Sequence, residues 1–182
     1  MEKIDFLNIE EIAEKQPELF AIDHFKKGET IERAGVISKK LYFIKEGLIR
    51  TYYNIDGKDI TCYFAREKEP ITGIDSFFSQ TPTMYHMEAL ENTTTYSVSN
   101  QQLERLYENH PSMERKGRLF MTASYIQLVE RFNSVIFKTA EERYTTFIES
   151  EADLLLRVPL GQIASYLGMT QETLSRIRAK KQ

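Results

Sequence analysis

The chain changes character at Asn100. Upstream, short runs rich in aromatic and β-branched residues are separated by glycine-bearing turns. Downstream, apolar residues recur at helical spacing. Strands gathered first and helices after them restrict the fold to the α+β class.

In the first part, "KLYFIKEGLIRTYYNIDGKDITCYFA" reads as strands, with Asp56-Gly57 as a hairpin turn between "LIRTYYN" and "DITCYFA". Ile60, Cys62 and Phe64 alternate with Asp59, Thr61 and Tyr63. That pattern predicts one buried face and puts Cys62 on it as an inert thiol. Glu46-Gly47 marks another turn, and "YHMEALE" and "TTTYSVS" predict a further strand pair. The expected architecture is an N-terminal antiparallel jelly roll or small barrel. A short helix should precede it, because Ile9, Ile12, Ala13 and Leu19 recur at helical spacing, with Pro17 interrupting.

After Asn100, read as a helix cap, Leu103, Leu106 and Tyr107 share one face. From Pro111 to about Lys138 runs a long helix with two apolar stripes. One comprises Leu119, Ala123, Ile126 and Val129; the other Met121, Tyr125, Leu128, Phe132 and Val135. A helix covering a single domain needs one stripe. Two stripes predict contact with its own domain and with a twin helix across a two-fold axis, the first quartet being the expected dimer contact. Burial at the centre of a monomer is the alternative. "TAEERYTTFIESEADLLLRVPL" then reads as another helix, with Thr139 and Glu142 as a capping box.

The closing stretch "IASYLGMTQETLSRI" breaks a helix and restarts it at once. Gly168 permits a sharp positive-φ stop, Thr170 caps a second helix, and Leu174 and Ile177 face inward. Ala164 is small where the two helices cross. This is the pattern of a helix-turn-helix whose second helix fits a major groove about 12 Å wide. Gln171, Glu172, Thr173, Ser175 and Arg176 stand near the start of that helix. Of these, Gln171, Glu172, Ser175 and Arg176 face outward as base readers. Thr170 and the first N–H groups suit a phosphate, and Arg178, Lys180 and Lys181 neutralise the backbone. One such module reads few base pairs, so a palindromic duplex site and a homodimer are expected together.

Charge and composition agree. The net charge is −3, yet residues 157–182 hold five Lys or Arg against one Glu, a basic tail on an acidic body. With 41% hydrophobic residues the chain can pack a core, and a lone Cys62 builds no disulfide or multi-thiolate cluster, which fits a cytoplasmic protein. No signal peptide or membrane span is read. His24, His86 and His110 are isolated, and no nucleophile elbow or phosphate loop occurs. Neither a catalytic residue, a metal nor a cofactor is expected. A cupin-like enzyme is therefore the weakest reading; a ligand-binding or adaptor protein without DNA binding is the main alternative.

"KGETIERAG", "LYFIKEGLIRTYY", "FKTAEERY" and above all "RVPLGQIASYLGMTQETLSRIRAKK" resemble the Crp/Fnr family of bacterial transcription regulators. The resemblance implies a cyclic-nucleotide-binding-like jelly roll over residues 1–110, a dimerisation helix over 111–138 and a winged-type helix-turn-helix over 139–182, with RNA polymerase as a further partner. The linker before the motif is too short for a long wing. Glu172 and Arg176 fall on the family's base-reading positions, whereas Gln171 stands where an Arg is frequent. Family members that bind cyclic nucleotides resemble one another in a Gly-Glu pair followed by Arg and Ser or Thr. Here Gly73 lacks the Glu, and no Arg occurs between Arg66 and Arg105. Cyclic AMP and cyclic GMP are accordingly not expected as tight ligands. Any effector is expected in a pocket drawn from Phe64, Gly73, Ile74, Asp75, Phe77, Met84, Tyr85 and Met87.

Overall fold

The structure is a computed structural model that describes residues 8–181. The chain opens with α1 (Asn8–Lys15) and a 3-10 turn at Pro17–Leu19, where Pro17 stops the first helix. Eight strands follow: β1 (Ala21–Phe25), β2 (Thr30–Glu32), β3 (Leu41–Glu46), β4 (Ile49–Ile55), β5 (Lys58–Ala65), β6 (Pro70–Ile71), β7 (His86–Ala89) and β8 (Thr93–Val98). The one-turn α2 (Ile74–Phe77) lies between β6 and β7. They form two antiparallel four-stranded sheets, ordered β1-β8-β3-β6 and β2-β7-β4-β5. Six helices complete the described residues: α3 (Asn100–Asn109), α4 (Pro111–Phe137), α5 (Ala140–Ser150), α6 (Leu154–Arg157), α7 (Leu160–Tyr166) and α8 (Gln171–Lys181).

Several local expectations need correcting. β7 and β8 do not pair with each other; they lie in different sheets, because three residues at Leu90–Asn92 carry the chain across the roll. The alternation in β5 also fails halfway. Thr51 opposes Tyr63 while Tyr52 opposes Thr61, so Cys62 is an extra residue in a β-bulge. The bulge reverses the faces: Thr61 is buried and Ile60 is 40% exposed. Cys62 is only half-buried, and burial raises its thiol pKa. Ser99, not Asn100, caps α3, in a capping box with Gln102. The helix begun at Thr139, whose box with Glu142 does form, ends at Glu151 and restarts as α6. No strand follows α5 among the described residues, so a wing is absent from them.

Three cores result. Met87, Ile49, Ala65, Tyr42, Ile44 and Ile71 fill the roll. Tyr96, Val98, Phe77 and Phe43 pack outward against α1, α3 and Met113 at the start of α4. The third core joins the outer face of the β2-β7-β4-β5 sheet, through Leu48, Phe64 and Leu90, to Tyr144, Phe147, Leu154, Ile163, Leu174 and Ile177 of the last helices. The C-terminal helices thus share their apolar interior with the roll. Truncating Leu174, fully buried there, costs ~2–5 kcal/mol on the scale of such core deletions.

Ion pairs ring this third core. Arg157 donates to Glu67 at 2.8 and 3.0 Å, to Glu91 at 2.7 and 3.1 Å and to the Gly47 carbonyl at 3.1 Å. Gly47 has φ +107°, and a Cβ there would meet Thr93 Oγ1 at 2.3 Å, so this tight turn excludes other residues. Burial opposes ionisation of Glu67, but Arg157 and the Gly47 N–H hold its pKa below 4.5. A carboxyl with a depressed folded pKa takes up protons at higher pH when unfolded. Its contribution is therefore complete above the ordinary value and lost as pH falls through the depressed one. We predict that thermal midpoints of the native chain and Glu67→Gln differ at neutral pH and converge as pH falls below the ordinary carboxylate range; an unchanged gap at acid pH would contradict the assignment.

Candidate functional site

The turn of the helix-turn-helix is set by local chemistry. α7 ends in a Schellman motif: Met169 N–H donates to the Ala164 carbonyl at 3.0 Å and Gly168 N–H to the Ser165 carbonyl at 3.1 Å, with Gly168 at φ +65°. Two residues later Thr170 Oγ1 accepts from the Thr173 N–H at 3.2 Å, capping α8. Leu174 and Ile177 turn inward beside Ile163 and Ala164. α8 therefore lies with one face in the core and the other in water.

On the open face stand Thr170, Gln171, Glu172, Ser175, Arg176 and Lys180, all exposed; Thr173 and Arg178 are partly covered. Lys181 closes the helix, and its side chain lies outside the described residues. Glu172 is drawn below its ordinary carboxylate pKa first by its own backbone N–H and then by Thr170, as expected at a helix start. Gln171 bends back: its Oε1 sits 2.8 Å from where a Cβ of Gly161 would be. The surface so formed is a convex rod with a carboxylate, a hydroxyl and a guanidinium near its N-terminus, followed by cations. It has the shape and donor set of a groove-reading helix.

α4 presents a second surface. Met113, Phe120, Ser124, Arg131 and Ser134 lie on the side toward the body, with Met113 buried and the others partly covered. Neither apolar stripe packs on the roll, contrary to the expectation that one would. Leu119, Ile126 and Val129 are each 40% exposed and Ala123 is half-buried; Tyr125, Leu128, Phe132, Val135 and Ile136 are exposed more fully. The stripes merge into one apolar face about 40 Å long, from the 27 residues of α4 at the standard helical rise.

The structure does not gather the eight candidate pocket residues. Phe64 points out of the roll and packs against Tyr166, ring centroids 5.3 Å apart. Phe77 belongs to the core beneath α1 and α3. Ile74 and Met84 are exposed. Met87 lies in the roll core, and the half-buried Tyr85 packs against Tyr53, ring centroids 4.6 Å apart. Gly73 is packed so that a Cβ would meet Ser38 Oγ at 2.2 Å. Asp75 turns back into its own loop, accepting from the Thr83 hydroxyl at 2.8 Å and the Met84 N–H at 3.0 Å.

Sequence reasoning missed Glu32. Its carboxylate accepts from Ser38 at 2.6 Å, and burial raises its pKa, with Asp75 adding to the rise. Two carboxylates beside Gly73, with loop donors already engaged by Asp75, oppose an incoming phosphodiester. Titration with millimolar cyclic AMP should give neither binding heat nor a thermal shift; a clear response would overturn this reading of the loop.

The β segments and the known proteins they resemble agree with the geometry. Residues 22–110 match the model of the cyclic nucleotide-binding domain. Electron transport regulator A of Shewanella oneidensis is 26% identical over 168 residues, covering 86% of this chain and 67% of that protein. Transcriptional activator protein FnrA of Stutzerimonas stutzeri is 27% identical over 168 residues, covering 84% and 66%. The chain thus spans about two-thirds of the length of these relatives. FixK2 from Bradyrhizobium japonicum shares the fold, with a TM-score of 0.75 at 24% identity over 88% of this chain and 83% of that one. The first two are named as a regulator and a transcriptional activator, which speaks against the cupin-like enzyme reading. The jelly roll, the long helix and the closing helix-turn-helix, with relatives along most of the chain, liken this protein to transcription regulators of the Crp/Fnr type.

Proposed function

We propose that the chain acts as a homodimer that reads a palindromic duplex site with α8. One observation carries this reading. The α8 face holding Glu172, Ser175 and Arg176 stays open to solvent while the opposite face is locked in the core. Arg176 suits a guanine edge, Glu172 a cytosine amino group, and Ser175 either strand. Thr170 and the first α8 N–H groups suit a phosphate. Gln171, tucked over Gly161, contributes less to reading than its position alone suggests. Arg178 and Lys180 supply charge for the backbone, with Lys181 after them.

The apolar face of α4 supplies the dimer contact. Tyr125, Val129, Phe132 and Ile136 form its centre, with Leu119 and Ile126 along one edge and Met121 and Leu128 along the other. Two α8 helices placed by such a coil match half-sites about one helical turn apart. The proposal keeps unit boundaries near residues 110 and 138. RNA polymerase is the fitting further partner of a promoter-bound regulator. Any effector other than a cyclic nucleotide acts by shifting the balance between dimer conformations.

Two measurements test the reading. Gel shift on promoter fragments should show binding that weakens steeply between low and moderate salt, and Arg176→Ala should cost ~1–3 kcal/mol at the preferred site but little elsewhere. An equal loss on all sequences would reassign Arg176 to phosphate. Tyr125→Glu combined with Phe132→Glu should give a monomer by light scattering, with palindrome affinity falling to that of one half-site; a persistent dimer would place the contact elsewhere.

A further inference from the structure

Given DNA reading by α8, the geometry points to Arg157 as a positioning residue that fastens the helix-turn-helix to the roll of its own chain in a reading-competent pose. Its guanidinium gathers three separate turns of the roll: Gly47 between β3 and β4, Glu67 after β5, and Glu91 after β7. No one of these turns is near Arg157 in sequence, so the side chain reports only the docking of one unit on the other.

Further links act at some distance from it. Arg66, just past β5, pairs with Glu151 and Asp153 in the α5–α6 connection. Ser165 of α7 donates to the Asp59 carbonyl at 2.8 Å and accepts from the Thr61 N–H at 2.9 Å, near the β4–β5 hairpin. Beside it, Arg50 is almost wholly buried, held at 2.8 Å by both Glu88 and Asp59. Gln162 reaches the same Glu88 at 3.4 Å. Points of attachment that are not in line fix both the place and the tilt of a rigid body. The apolar contact of Phe64 with Tyr166 and Phe147 fills the space between them.

None of these links uses the open face of α8, so docking does not hide the reading surface. The looser junction lies elsewhere. Between the far half of α4 and the body runs a cleft of about 1180 Å³, lined by Phe64, Tyr166, Phe120 and Ser134 among others. Arg131 bridges it, bonding the Cys62 and Thr61 carbonyls and stacking 4.4 Å from the Tyr166 ring centroid.

The test is a disulfide across the docked surface: Thr61→Cys with Ser165→Cys on a Cys62→Ser background, in the full chain. Crosslinked protein should bind a palindromic duplex within about threefold of the reduced form, since a preorganised pose loses nothing by being fixed. Arg157→Ala should lower palindrome affinity about tenfold and flatten its dependence on half-site spacing, with non-specific binding nearly unchanged. Arg157→Glu paired with Glu67→Arg should recover part of the spacing preference. If the reduced form binds and the crosslinked form does not, the helix-turn-helix must leave the roll to read, and this inference falls alone. If neither form nor the native chain binds any duplex, DNA reading by α8 falls and takes the inference with it.

Discussion

The structure depends on an apolar surface that faces the unexpected way. Phe64, Leu48 and Leu90 project from the outer side of a sheet whose inner side already has its own core. Helices of seven and eleven residues cannot hold themselves together in water, because nucleation costs more than so few hydrogen bonds return. What stabilises α7 and α8 is burial of Ile163, Leu174 and Ile177 against α5 and, for α7, directly against β5 of the roll. The sensor-like domain thus completes the interior of the reading domain.

Charge confines that docking to one geometry. Dispersion and apolar burial are nearly indifferent to sliding, whereas a guanidinium forked between two carboxylates and a carbonyl is not. Arg157 and Arg66 sit at the margin of the apolar contact and run in opposite directions, the first from the helices to the roll and the second from the roll to the helices. Partly exposed pairs of this kind add only modestly to stability. Their effect is on orientation, which the proposed reading of two half-sites requires.

The roll keeps the architecture of the cyclic nucleotide-binding domain that it matches, with acidic side chains near Gly73. Where an arginine would answer a phosphate, this chain places Asp75 on its own loop and Glu32 nearby. A jelly roll constrains which strands meet, but little about the polarity of the few side chains at its loop ends, so a change of ligand class leaves the fold intact.

Much of this was legible in residues alone. The switch of period at Asn100, the Asp56-Gly57 hairpin, the Thr139–Glu142 box and the Gly168–Thr170 turn are local events, set by backbone sterics and short-range hydrogen bonds. They determined the element order and, through it, the reading helix. What lay beyond them was long-range. A bulge at Cys62 reversed the faces of β5, because pairing with β4 overrode the simple alternation. Phe64 read as a pocket residue because strand period says that a face is buried, not which body buries it. The Arg157 clamp joins turns separated by up to 110 residues, and no spacing rule reaches so far. Chain-local torsional preferences wrote the order of elements into the sequence; which sheet face met which helix was decided only when apolar area and paired charges were matched in three dimensions.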